Sequence, residues 1–325
     1  MATPQAFSEI VVRPLAQSDL AEADRIIRLA FGTFLGFPDP ERFMGDADYA
    51  YTRWTADSSA AFAAERDGKL IGSNFATNWG SFGFFGPLTV HPNCWSQGVA
   101  QLLLAPTMEK FRAWGNRHLG LYTFAQSPKH MALYQKFGFW PRDLVAIMAK
   151  NLETASTKPS LPNGVSLYSE LAPGERQSAL SECRELTSAI FPGLDVTNEI
   201  RAVAGQHLGD TILLRDGSPL AAFAVCHVGP RTEAGSGVCY AKFAAVRPGP
   251  RAGNDFEELL GALEAFASQV GATKLDAGVN LARREAFAEL FARGFRTQMQ
   301  GVAMEAGDAS SGYNRAGVYV LDDWR

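Results

Sequence analysis

The sequence predicts an α+β fold, a mixed α/β arrangement built as two similar halves. Three observations carry this. Short segments rich in valine, phenylalanine and isoleucine alternate with longer ones whose apolar residues recur at helical spacing. Asp-Gly pairs at Asp67-Gly68 and Asp216-Gly217 sit between strand-like runs, as hairpin turns require. Val90-His91-Pro92 is answered by Val246-Arg247-Pro248, and Gly138-Phe139 by Gly294-Phe295. Both pairs are offset by 156 residues (248 − 92 and 294 − 138), which argues for a duplicated unit.

The elements follow in order. Residues 10–15 read as a strand. Ser18 is placed to cap a helix with apolar face Leu20, Ala23, Ile26, Ile27 and Ala30. Residues 31–40, aromatic and glycine-rich, predict an irregular loop, and 41–54 a second helix. Strands are expected at 60–66 and 70–78 and, unbroken, at 82–90. The stretch 88–104 is the organising one. Its strand ends at Pro92, which cannot donate to a ladder. Its helix begins near Gly98 and Ala100, and the spacing predicts helix over 101–116, kinked at Pro106. A strand, a small-residue turn and a helix N-terminus together form an anion site suited to a pyrophosphate. A strand at 119–124, a helix from Ser127 through Tyr134 and a strand at 144–149 complete the first half. Residues 151–163, polar with two prolines, read as a linker between units 1–150 and 164–325. The second half repeats the pattern and runs on to a strand-like 317–321.

Two segments carry a family resemblance. Val90, Pro92, Gly98 and Ala100 fall in register with the Val-x-Pro and Gly-x-Gly/Ala signature of the GNAT acyl-CoA N-acyltransferases. Leu133, Tyr134, Lys136, Gly138 and Phe139 match its later Leu-Tyr-x-Lys-x-Gly-Phe motif. The resemblance covers residues 8–150 well. Trp95 stands where the family has Arg or Gln. It implies two mixed, mostly antiparallel sheets, each with a splayed parallel central strand pair and flanking helices. It implies acetyl-CoA as cosubstrate and an amine of a small molecule or peptide as acceptor. Pantetheine is expected on the backbone of Leu88 and Val90, with Ser127 on its amide. The pyrophosphate is expected on the N–H groups of Gln97, Gly98, Val99, Ala100, Gln101 and Leu102. Tyr134 matches the tyrosine that protonates the leaving thiolate, and a phenol keeps its proton at neutral pH.

The second copy departs from this pattern. Asn254, Phe256 and Leu290 stand where the first has Gly98, Ala100 and Tyr134, and a phenylalanine there obstructs a pyrophosphate. The sequence displays no general base. His91 is the nearby titratable residue, and Glu41, Asp46 and Asp48, on the predicted second helix, are placed to hold a cationic amine. The competing reading from another class is a non-catalytic acyl-CoA-binding or sensor protein.

Composition bounds the rest. A net charge of −4 and a pI near 5.8 give no nucleic-acid footprint. Cys94, Cys183, Cys226 and Cys239 lack metal-ligand spacing, so no metal is expected and reduced thiols in a cytoplasmic protein are. The first residues show no signal-peptide pattern, and no apolar run approaches the roughly 20 residues a membrane span needs. Monomer and homodimer both remain open.

Overall fold

The computed structural model describes residues 9–153, 159–215, 217, 219–307 and 312–325. Asp216 of the second Asp-Gly turn and part of the predicted linker fall outside the described residues. The first half contains strand β1 (Val11–Pro14), helices α1 (Leu20–Phe34) and α2 (Tyr49–Ala56), and strands β2 (Ala61–Arg66), β3 (Lys69–Trp79), β4 (Phe82–Phe85) and β5 (Thr89–Val90). It continues with helix α3 (Val99–Trp114), strand β6 (His118–Thr123), helix α4 (Pro128–Gln135) and strand β7 (Trp140–Asn151). The second half begins with strand β8 (Val165–Leu167), helices α5 (Pro173–Ile190) and α6 (Thr197–Gln206), and strands β9 (Gly209–Leu214), β10 (Ala222–Gly229) and β11 (Gly235–Val246). Helix α7 (Ala252–Gln269), strand β12 (Lys274–Asn280), helix α8 (Arg284–Ala292) and strands β13 (Arg296–Gly307) and β14 (Val320–Leu321) follow.

Four local expectations are corrected. Ser18 does not cap α1. It lies in a single 3-10 turn, where the Asp19 carboxylate accepts from Ala16 N–H and pairs with Arg13. The phenylalanine-rich loop starts late, because α1 continues through Phe34. The second helix starts at Tyr49 instead of residue 41. Asp48 accepts from Tyr51 N–H and so fixes the helix start, after a segment with two glycines at positive φ. The strand over 82–90 breaks at Gly86-Pro87. Beyond the break, β5 turns to pair with β3. The five predicted apolar positions of α1 are all buried.

The strands form one sheet in the order β1-β2-β3-β4-β6-β13-β7-β12-β11-β10-β9-β8. Most neighbours are antiparallel. The exceptions are two parallel pairs, β4 with β6 and β11 with β12. The halves trade strands. β13, from the second half, lies between β6 and β7, and β7, from the first, pairs with β12. One core is also shared. Trp79, Phe82 and Phe84 pack with Leu186, Ile190, Phe191 and Phe243 of the other half, and the Trp79 ring lies 5.2 Å from that of Phe243.

A buried ion cluster spans the same junction. Arg53 of α2 donates to Glu233 at 2.8 Å, and Lys242 contacts Glu233 at 2.7 Å and Glu199 at 3.2 Å. Burial works to raise the Glu199 carboxyl, but Lys242 and the His227 contact outweigh it and hold it near about 2. The charges are thus paired, as buried charges must be.

A fragment ending at residue 150 would leave the facing edges of β6 and β7 without β13, and Trp79, Phe82 and Phe84 without their cover. Expressed alone, 1–150 should be insoluble or lack a cooperative unfolding transition by circular dichroism. A soluble fragment with a native-like melt would show that the exchange is dispensable.

Candidate active site

The site is a gap in the sheet. β4 and β6 pair at Phe82↔His118, Gly83↔Leu119 and Phe84↔Gly120, and then separate. β5 leaves toward β3, with His91 N–H donating to Ile71 O at 2.8 Å. Groups on alternate residues of a strand point to opposite edges, so the Leu88 and Val90 backbone faces away from β3, into the gap. A cavity of about 760 Å³ opens there, between Phe85, Pro87 and Leu88 on one side and Tyr122, Thr123 and Phe124 on the other.

One end of the cavity is the start of α3. Gly98 holds φ at +82°, a left-handed conformation that side chains tolerate poorly, and this turns the chain into the helix. Among the described residues, the N–H groups of Gln97, Gly98, Val99 and Ala100 have no acceptor in the protein. Those of Gln101 and Leu102 already donate to Gly98 O at 3.0 and 3.2 Å. Four of the six amides expected are therefore unpartnered. Of the ten residues singled out in the sequence, Leu88, Val90, Gly98, Val99, Ala100, Gln101, Ser127 and Tyr134 line the cavity. Gln97 and Leu102 are not among its lining residues. The Gln97 side chain bonds Arg66 and Asn93 O, and Leu102 is exposed.

Trp95 has a structural role. Its indole N–H donates to Val90 O at 2.7 Å, which removes that carbonyl from the gap. Positive charge comes instead from Lys129 on α4 and Lys136 just past its end, and Lys129 Nζ reaches Ser96 Oγ at 2.8 Å. Sequence reasoning missed Lys129, although it lies two residues past the helix-capping Ser127.

Tyr134 sits on the face of α4 turned to the gap, with its ring 5.7 Å from that of Phe85. Burial pushes its phenol above the ordinary value, against a hydrogen bond with Thr123. It is a proton donor at any physiological pH. The four titratable candidates from the sequence are elsewhere. Glu41 pairs with Arg25 at 2.8 Å, Asp46 accepts from Ser236, Asp48 caps α2, and His91 accepts from Asn93 N–H.

The other end of the cavity is closed by residues distant in sequence. Phe31, Phe34 and Phe43 come from α1 and the loop after it, and Phe124 from the end of β6. Met299 comes from β13, and Trp324 and Arg325 from the end of the chain. Trp324 fits only because residue 120 is glycine: a Cβ there would lie 2.8 Å from its ring.

The corresponding gap in the second half is filled. β14 pairs with β11 at Ala244↔Leu321 and Ala245↔Val320, and position 244 is Leu88 shifted by 156 residues. Tyr319 lies 5.1 Å from the Phe256 ring, and its hydroxyl would be 3.2 Å from a Cβ on Gly253. Arg283 occupies the Ser127 position. It is fully buried and donates to Val320 O at 2.9 Å and Asp322 at 2.7 Å. The segment ending in β14 thus takes the place a cofactor arm would need.

Residues 24–139 match the family model described as "Acetyltransferase (GNAT) family". No curated protein matches the chain. Among solved structures, a protein of Pyrococcus horikoshii named as an acetyltransferase superposes with a TM-score of 0.69 at 13% identity, over 100% of this chain and 98% of that one. A GCN5-related N-acetyltransferase from Sphaerobacter thermophilus gives 0.58 at 17% identity, over 91% and 95%. A tandem GNAT protein from the clavulanic acid biosynthesis pathway gives 0.55 at 15% identity, over 92% and 98%. At these identities the likeness is one of fold.

Replacing Arg283 by methionine should leave Asp322 buried and uncompensated. Urea unfolding should show a loss of about 3–5 kcal/mol, and the Arg283→Met/Asp322→Asn pair a smaller one. A loss in the pair equal to the sum of the two single losses would mean the residues are not coupled.

Proposed function

We propose that this chain, whose residues 24–139 form a GNAT domain in a tandem GNAT fold, is an N-acyltransferase moving an acetyl group from acetyl-CoA to an amine. The observation that carries this reading is the open gap beside β5, with unpartnered N–H groups at one end and a protonated Tyr134 along its wall. The pantetheine arm would pair with the free backbone groups of Leu88. The pyrophosphate would lie on the amides of Gly98, Val99 and Ala100 near Lys129 and Lys136, and Ser127 would bond the arm. The amine attacks the thioester carbonyl, the carbon–sulfur bond breaks, and Tyr134 gives its proton to the sulfur. The acceptor is a small-molecule or peptide amine that enters past the phenylalanines of α1. The units 1–150 and 164–325, joined through 151–163, divide the work: the first binds and reacts, the second supports. The reading includes a cytoplasmic location. Among the described residues no helix is long and apolar enough to cross a membrane.

The competing reading, a binding protein without chemistry, keeps the same gap but needs no acid in its wall. A screen of free-thiol release from acetyl-CoA over an amine panel separates the two.

Calorimetry should give one acetyl-CoA per chain, since only one gap is open. Ala100→Phe should abolish binding by blocking the backbone. A stoichiometry of two would sink the division of labour.

Tyr134→Phe keeps the ring and removes the proton. Acetyl-CoA affinity should hold within about twofold, while kcat and kcat/KM both fall about 100-fold or more. Wild-type turnover in this variant would make Tyr134 a packing residue.

A further inference from the structure

We propose that His130 takes the proton of the acceptor amine. The inference rests on the N-acyltransferase reading above and assigns the role that the sequence left without a residue. Amide formation by a primary amine releases one N–H proton as the carbon–nitrogen bond forms, and a group in the cavity or a water it holds must accept it.

Elimination comes first. Among the described residues, no aspartate or glutamate lines the cavity. Its titratable side chains are Tyr49, Cys94, Tyr122, Lys129, His130, Tyr134, Lys136 and Arg325. Lysine and arginine are protonated at neutral pH, and a phenol gives protons instead of taking them. Cys94 lies in the turn leading to α3, on the anion side. His130 remains.

Position supports the same choice. His130 and Tyr134 are four residues apart on α4, so both project from one face of the helix, and both line the cavity. The imidazole is set between two rings that hold it. Its centroid is 5.0 Å from Phe34 of α1 and 6.4 Å from Phe124. Among the described residues, neither ring nitrogen is engaged by a protein hydrogen bond, so one lone pair is free for an amine or a bridging water. Tautomer-fixing partners, which would take that lone pair out of use, are missing.

The protonation state fits the role. Burial lowers the imidazole below its ordinary value, and the charge of Lys129 adds to this. Around it, α1 contributes only phenylalanines and aliphatic residues to the cavity wall, and β6 contributes Tyr122. α2 contributes Tyr49, the chain end Arg325, and α4 itself Lys129 and Tyr134, with Lys136 just past its end. Among the described residues no aspartate or glutamate lines the cavity to raise it again, so the neutral imidazole, the form that accepts a proton, is favoured at pH 7.

The balance is complete. The amine lone pair forms the carbon–nitrogen bond, the N–H proton passes to the imidazole, and the carbon–sulfur electrons go to sulfur. Tyr134 protonates the sulfur. The imidazolium then returns one proton, through solvent, to the phenolate. The sum is amide plus free thiol.

The test uses the full chain with acetyl-CoA and the best amine of the panel. His130→Phe preserves the stack with Phe34 and Phe124, and His130→Ala opens room for added imidazole. Both variants should lose about 100-fold or more in kcat with acetyl-CoA affinity within about twofold, and imidazole should restore His130→Ala at least tenfold. As the pH falls below the lowered imidazole value, the wild-type log kcat/KM should fall with slope two, one proton for the amine and one for the imidazole. The variants should fall with slope one. Wild-type turnover in His130→Phe overturns the proposal. A loss without imidazole rescue and with an unchanged slope also overturns it, and makes His130 a packing residue. A wild-type chain that binds acetyl-CoA but releases no thiol with any amine overturns the underlying reading instead.

Discussion

A sheet that opens between two parallel strands leaves backbone N–H and C=O groups without partners, and something must satisfy them. That constraint organises the molecule twice. After Phe84↔Gly120 the strands part and the Leu88 backbone faces a cavity. After Ala241↔Ala277 the second parallel pair parts in the same way, and there β14 supplies the missing ladder. One gap stays open as a cavity. The other is closed by the chain. The identities of the lining residues follow from this difference. An open slot needs small residues such as Gly98, Ala100 and Ser127. A closed one accommodates Phe256 and Arg283, both fully buried.

The closing segment also ties the halves together. From β14 the chain continues past Asp322, held by Arg283, to Trp324, which packs 4.9 Å from Phe82 and under Gly120 of the first half. Arg53 of α2 donates to the carbonyls of both Gly86 and Arg325, joining the strand break to the chain end. The Arg53–Glu233–Lys242–Glu199 cluster lies behind this junction. Replacing such a cluster with well-packed apolar residues is often neutral in stability, whereas removing one partner leaves a buried charge uncompensated, so the four side chains depend on this docking of α2 against the second half. The wall of the first-half cavity is therefore set by contacts made far outside it.

Much of this was legible in the sequence. The repeat offset, the Asp67-Gly68 hairpin and the α3 anion turn rest on local rules that tertiary packing did not override. The exchange of β7 and β13 was not legible, for a physical reason. The two strands show the same succession of exposed and buried positions, five consecutive buried residues behind a mostly exposed start. Either would satisfy either sheet by pattern, and the choice is made by neighbours that periodicity does not record. The break in the strand after Phe85 was readable in principle from Gly86-Pro87, since proline removes a ladder donor. His130 was passed over because a lone histidine on a short helix carries no signal until its surroundings are known. Here those surroundings are two aromatic rings and a wall without carboxylates.

The two gaps also differ in when they contribute to stability. The second is filled in every molecule, so β14, Tyr319 and the Arg283–Asp322 pair hold the fold together at all times. The first gains its missing partners only when a ligand is present, and contributes in proportion to the logarithm of ligand concentration over Kd. A duplicated unit with two empty slots would carry twice the unsatisfied backbone. Filling one slot with the chain itself removes that cost in the second half and supplies a rigid backing, through Trp324, for the cavity of the first. The closed second gap thus backs the open first one.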